Sequence, residues 1–273
     1  MLTGPLLADW LPVSASALLF LVVAAGVAGW VDAVVGGGGL IQLPALVIGV
    51  PKDVATPFIL GTNKLSSFFG TLSASWVYLR RVKVHLVLLI PLVLGAFAGS
   101  AVGAALSRYV PREVLTPVVL VAVVAVGVYT LLRPKMGLHH EPRHTERHAV
   151  MWRSGVIGLG VGFYDGILGP GTGSFFVILL VGVLGFGFLQ ASVNAKIANL
   201  TTNLAALIVY GVHGEIILAL GLVMACANIT GGFIGARMAT RGGNGFVRIV
   251  FLVVLGLLVV KLAWDTVAAV LPA

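Results

Sequence analysis

Charge is what this sequence has least of. Only 10% of its 273 residues are Asp, Glu, Lys or Arg, against about 25% in soluble domains. Hydrophobic residues make up 59% and the mean hydropathy is +1.09. This excludes a soluble globular domain and makes the chain a polytopic membrane protein. The runs 16–35, 55–79, 84–107, 113–132, 191–211, 216–236 and 246–264 approach the roughly 20 apolar residues needed to cross the hydrocarbon, with shorter apolar pieces at 40–50 and around the glycines of 153–185. Acidic residues are rarer than basic ones, nine against 17. The resulting charge of +8 does not point to nucleic acid, because the Lys and Arg sit mainly in short loops, as the positive-inside rule expects, and no soluble basic domain carries them. Cys226 is the only cysteine, which excludes an internal disulfide. No basic stretch precedes the first apolar run, so a cleaved signal peptide is not expected and that run should stay.

What the sequence does have, it has twice. Gly29-Trp30-Val31-Asp32 and the glycines from Gly36 return as Gly162-Phe163-Tyr164-Asp165 and Gly169-Pro170-Gly171, 133 positions later. Gly61-Thr62-Asn63-Lys64-Leu65 lines up with Val193-Asn194-Ala195-Lys196-Ile197 at an offset of 132, as do Tyr78 with Tyr210, Gly99 with Gly231 and Gly103 with Gly235. A repeated order of Asp, glycine break, Lys-bearing helix and small-residue helix reads as a tandem duplication. Residues 1–137 form a first membrane repeat, 138–152 a polar His/Arg-rich linker loop, and 153–273 a second repeat. The linker belongs to the polar stretch 133–153, in which His144 and His148 stand at i, i+4 spacing. Pro134 and Pro142 argue against a continuous helix that would fix a metal site, and a solvated basic loop is the better reading.

The charges also indicate orientation. If 16–35 and 40–50 form a hairpin, Arg80, Arg81, Lys83, Arg133, Lys135, Arg143, Arg147, Arg153, Arg237, Arg241 and Arg248 share one side, against Lys52, Arg108, Arg112 and Lys261 on the other. A single interrupted crossing gives a weaker bias, nine against six. The hairpin makes the repeats inverted and gives about eight to ten membrane segments with broken or re-entrant helices at the glycines. Residues 40–50 would make a helix of about 16 Å, half the hydrocarbon thickness, so the break should line a cavity.

Asp32, Lys64, Asp165 and Lys196 lie deep in apolar segments. Each would cost roughly 3 kcal/mol unpaired at a helix centre. One reading is two buried ion pairs that merely hold helices. The other is a binding site, favoured by the polar groups on the same segments: Thr62, Asn63, Ser66, Ser67, Thr172, Asn194, Asn199, Thr201, Thr202 and Asn203. Lysine offers three donors and no acceptor, and helix N-termini after the breaks, around Gly37 to Leu40 and Gly171 to Ser174, suit an anion. The expected substrate-binding residues are Asn63, Lys64, Asn194, Lys196, Gly37, Gly38, Gly171, Thr172 and Asn199, with Asp32 and Asp165 setting lysine protonation or carrying a coupling proton. Trp30, beside Asp32, could wall the cavity. Gly95, Gly99 and Gly103, with Gly231 and Gly235, read as close helix packing. No catalytic residue, metal site or cofactor is expected. The expected partners are a small anion, protons and the lipid bilayer, with a homodimer open and no nucleic acid. A cation or transition-metal permease and an intramembrane aspartyl protease stand as alternatives. The first is short of ligands, and the second lacks the contiguous Gly-x-Gly-Asp that such enzymes resemble.

Those paired motifs, GWVDAVVGGGGLI with GTNKLSSFFGT and GFYDGILGPGTGSF with NAKIANLTTNLAAL, resemble the sulfite exporter TauE/SafE family of membrane permeases over about residues 15–265. The resemblance implies secondary transport of small sulfur-containing anions, such as sulfite or organosulfonates, across a prokaryotic cytoplasmic membrane. It places function on the Asp32 and Asp165 segments and on the Asn63-Lys64 and Asn194-Lys196 segments. Coupling to protons, alternating access and a cytoplasmic linker 138–152 complete the expectation. Pro170 and Ala195 break the symmetry, so the halves should bind unequally.

Overall fold

The computed structural model describes residues 13–109 and 146–270. Every regular element among them is helical, as a bilayer demands of a chain that must satisfy its backbone polar groups without water. The chain is an all-α polytopic membrane protein. Its helices are α1 (Ala15–Val35), α2 (Gly39–Gly49), α3 (Thr56–Leu79), α4 (Leu86–Leu106, followed by a 3₁₀ turn Ser107–Tyr109), α5 (Arg147–Ile167), α6 (Thr172–Leu184), α7 (Phe188–Val212) and α8 (Leu218–Val270). Among the described residues, four stretches are long and apolar enough to cross a membrane: Ala15–Val35, Leu86–Tyr109, Phe188–Val212 and Leu218–Val250. The run expected at 113–132, and His139, His140 and His144 of the linker, lie outside the described residues.

Local chemistry sets the boundaries. Ser14 caps α1 by accepting from the Ala17 amide, and Gly36 ends it in a left-handed conformation at φ 83°, which a side chain would resist. Gly243, at φ 66°, breaks α8 between the two runs read at 216–236 and 246–264. The glycine-rich stretch 153–185 resolves into α5 and α6. With 11 and 13 residues, α2 and α6 extend about 16 and 20 Å, well short of the roughly 30 Å hydrocarbon.

Packing joins the halves to each other. The small-residue face of α4 lies on α5: a methyl group on Gly99 would sit 2.2 Å from the Leu159 carbonyl oxygen, and one on Gly162 would sit 2.4 Å from that of Ala96. The equivalent face of α8 lies on α1, where a Cβ on Gly231 would come within 2.0 Å of the Gly26 oxygen. Backbones this close require glycine, so the GxxxG pattern is scaffold. Val82, Val84, Val150, Phe186 and Phe246 pack into one apolar cluster, and Val13, Val47, Val54 and Ile216 into another. Arg81 donates to Thr240 Oγ1 at 3.4 Å. The basic stretches 80–83, 147–153 and 237–248 thus gather at one end, and Lys52 and Arg108 at the other. The α1–α2 hairpin opens toward the Lys52 end, and the α5–α6 hairpin toward the basic end.

Candidate functional site

The two hairpin tips meet. The Ser174 amide donates to the Gly36 carbonyl at 3.1 Å, and its hydroxyl donates to that of Val35 at 2.9 Å. A Cβ on Gly36 would lie 2.2 Å from the Gly173 carbonyl carbon, and one on Gly39 would lie 3.1 Å from Pro170 Cα. The glycines therefore let one turn abut the other, besides reversing the chain.

Around this junction the four buried charges pair, each across the halves. Lys64 Nζ lies 2.6 Å from Asp165 Oδ2, and Lys196 Nζ lies 2.8 Å from Asp32 Oδ2. The lysines come from the middle of α3 and α7, and the aspartates from the last turn of α1 and α5. Gly169, at φ 86°, leaves room for Lys64, since a Cβ there would come within 3.0 Å of Nζ. Positions that match in sequence also make matching anchors. Tyr78 donates to the Ala33 carbonyl at 3.0 Å, and Tyr210 donates to that of Gly166 at 3.3 Å.

A small polar cavity, partly open to solvent, lies at the junction. Of the expected site residues, Asp32, Asn63, Lys64, Asp165, Gly171, Thr172 and Asn199 line it. Lys196 reaches it only through Asp32. Asn194 is buried and donates to the Gln190 carbonyl of its own helix at 2.8 Å, while Gly37 and Gly38 sit behind the tip. Gly38 packs so tightly that a Cβ would lie 2.6 Å from Asp32 Cβ. Trp30 lies outside the cavity, its indole N–H facing Met238 Sδ at 3.2 Å. Of the amides expected to serve an anion, those of Leu40 and Ser174 already bond to Gly37 and Gly36. Gly39 and Gly173 line the cavity, and their N–H groups donate to no carbonyl among the described residues.

Ser67 and Asn203 line the cavity as well. Their signal was a polar stripe at helical spacing: Lys64, Ser67 and Thr71 on α3, and Lys196, Asn199 and Asn203 on α7. Asn203 Nδ2 donates to Thr71 Oγ1 at 3.4 Å, joining the stripes. Asn63 is 3% exposed and its Oδ1 has no hydrogen-bond partner.

Known proteins place this architecture. The family model described as "Sulfite exporter TauE/SafE" matches residues 21–262. The chain is 36% identical over 248 residues to "Probable membrane transporter protein ORF9" of Sinorhizobium sp, covering 91% of this chain and 93% of that one. It is 34% identical over 240 residues to a "Probable membrane transporter protein" of Haemophilus influenzae, covering 88% and 91%. It is also 34% identical over 249 residues to "Probable membrane transporter protein YfcA" of Escherichia coli K12, covering 91% and 90%. No solved structure gives a significant match. With a family model spanning most of its length and relatives aligned nearly end to end, this chain belongs to the sulfite exporter TauE/SafE family of membrane transporters.

Proposed function

We infer that this transporter carries a small sulfur-containing anion, sulfite or an organosulfonate, across the cytoplasmic membrane by alternating access of inverted repeats, coupled to protons. The carrying observation is the meeting of two glycine-broken hairpins at a cavity whose wall holds Lys64 in contact with Asp165. A lysine ammonium has three donors and the carboxylate occupies only one direction. An incoming oxyanion can share Lys64 Nζ, and the Gly39 and Gly173 amides and the Asn199 side-chain amide can complete its shell. As the anion takes part of the lysine's charge, Asp165 is the carboxylate left to carry the coupling proton. Anion and proton then travel together. Opposed hairpins supply two ends that can open in turn, and the concentration of basic loops supports a cytoplasmic linker end.

The test is uptake of radiolabelled sulfite into proteoliposomes, with and without a pH gradient. Saturable uptake that the gradient accelerates, lost in Lys64→Ala with Lys196→Ala, is expected. Uptake that survives in the double variant would remove the proposed site, and indifference to the gradient would remove proton coupling.

A further inference from the structure

Beside the cavity lies a buried amide cluster that joins the halves at only one of two matching places. Gln42 on α2 and Asn228 on α8 are 0% and 3% exposed. Asn228 Nδ2 donates to Gln42 Oε1 at 2.6 Å and approaches Ser66 Oγ at 3.4 Å. Gln42 Nε2 donates to the Asn63 carbonyl oxygen at 3.4 Å. At the matching positions stand Phe175 for Gln42, Ala96 for Asn228, Ala198 for Ser66 and Ala195 for Asn63. The three polar side chains are lost together, and only the main-chain carbonyl of the fourth position remains.

The backbone is shaped around this cluster. A Cβ on Gly70 would lie 1.7 Å from Asn228 Oδ1, and one on Gly29 would lie 2.6 Å from it. The position matching Gly70 is Thr202, so a small residue on α3 faces a large one on α8, whereas a larger one on α7 matches an alanine on α4. Phe175 meets Tyr164 edge-on at 5.0 Å instead, and Val31 holds the place matching Tyr164. At these matching positions α2 is thus held by directional side-chain hydrogen bonds and α6 by apolar contact, its own hydrogen bonds to α1 running from Ser174 at the tip.

The chain of bonds ends on Asn63, whose carbonyl takes the Gln42 amide and whose side chain lines the cavity one residue before Lys64. We propose that Gln42 and Asn228 are positioning residues for the anion site: they fix α2 against α3 and so set the placement of Asn63 and Lys64, with no equivalent acting on α6. For its ligand this rests on the transport reading above, while its geometry does not.

The test uses the full chain with Asn228→Ala, a residue the matching position already carries, Gln42→Met, which keeps length without the amide, and both together. In proteoliposomes the KM for labelled sulfite should rise about tenfold in each single variant while Vmax stays within about twofold, and the double variant should be no worse than either single one. Hydrogen exchange in detergent should quicken about tenfold in residues 39–49 of Asn228→Ala and stay unchanged in 172–184. An unchanged KM with a falling Vmax, or equal quickening of both half-helices, would overturn the proposal by reducing the cluster to general packing. If the unaltered protein moves no sulfite, the substrate reading fails by itself, and the exchange asymmetry decides this one.

Discussion

Asp165 and Asp32 hold matching places in the two halves, yet their surroundings differ. The Lys64–Asp165 pair is closed on both sides, its side chains 3% and 2% exposed, whereas in the Lys196–Asp32 pair the lysine is 1% exposed and the aspartate 15%. Both members of the first pair line the cavity, but only the aspartate of the second does. The two matching segments therefore share an electrostatic frame, with both charges of the more buried pair and one of the other on the cavity wall. The lysine of the other pair serves as a fixed counter-charge behind its aspartate. On the proposed transport reading, unequal halves would let one ligand be gripped in one place while both hairpins remain available to move.

The largest effect should come from breaking the closed pair. Asp165→Asn leaves Lys64 buried and uncompensated, a loss of about 3–5 kcal/mol. Asp32→Asn should cost less, about 1–3 kcal/mol, because the partly exposed position lets water take up part of the lysine's charge. Unfolding midpoints in detergent measure both, and equal losses would erase the distinction. Replacing the closed pair entirely, Lys64→Met with Asp165→Leu, should restore most of the stability and leave sulfite transport absent. Transport that returns with stability would mean that the pair only holds helices.

The hairpin tips offer a second contrast. Gly36 and Gly171 both take left-handed backbone angles, φ 83° and 79°, so alanine at either costs about 1–2 kcal/mol in strain. Space separates them. A Cβ on Gly36 would meet the Gly173 backbone at 2.2 Å, whereas one on Gly171 would find Leu40 Cδ1 at 3.4 Å. Gly36→Ala should therefore destabilise by about 3 kcal/mol or more, adding overpacking to strain, and Gly171→Ala by the strain alone. Thermal unfolding of the two variants checks this, and parity would show that the tips do not abut.

Much of this was legible in the sequence for physical reasons. Apolar runs located the helices, and a carboxylate followed by glycines located both breaks. The repeat brought Asp32, Lys64, Asp165 and Lys196 into one argument before any distance was known. What the sequence could not supply was which lysine meets which aspartate, because pairing across halves depends on how α1 packs on α8 and α4 on α5. Nor did it separate the glycines that line the cavity, Gly36, Gly39, Gly169 and Gly173, from Gly37 and Gly38, which pack behind the tip. Consecutive glycines carry no pattern that distinguishes them. Gln42 and Asn228 were missed because an isolated amide in an apolar run has no periodicity, and its partner lies 186 positions away.

The smallest expected effect tests where the halves agree. Tyr78 and Tyr210 are both buried, and each anchors its hydroxyl on the carbonyl of the residue that follows the aspartate of its own half, Ala33 and Gly166. Tyr210 also donates to Ser107 Oγ at 2.8 Å. Removing either hydroxyl leaves a carbonyl of a helix's last turn with no backbone amide donating to it among the described residues, position 170 being a proline, so Tyr78→Phe and Tyr210→Phe should each cost about 1–2 kcal/mol. The values should agree within about 0.5 kcal/mol, with Tyr210→Phe the larger because Ser107 loses a partner too. Matched losses in unfolding would mean that the two hairpins are tied down alike and that their inequality lies in the ion pairs and the tips. A loss confined to one tyrosine would move the asymmetry into the anchors, and the hairpins would then differ in how firmly they are held as well as in what they present to the cavity.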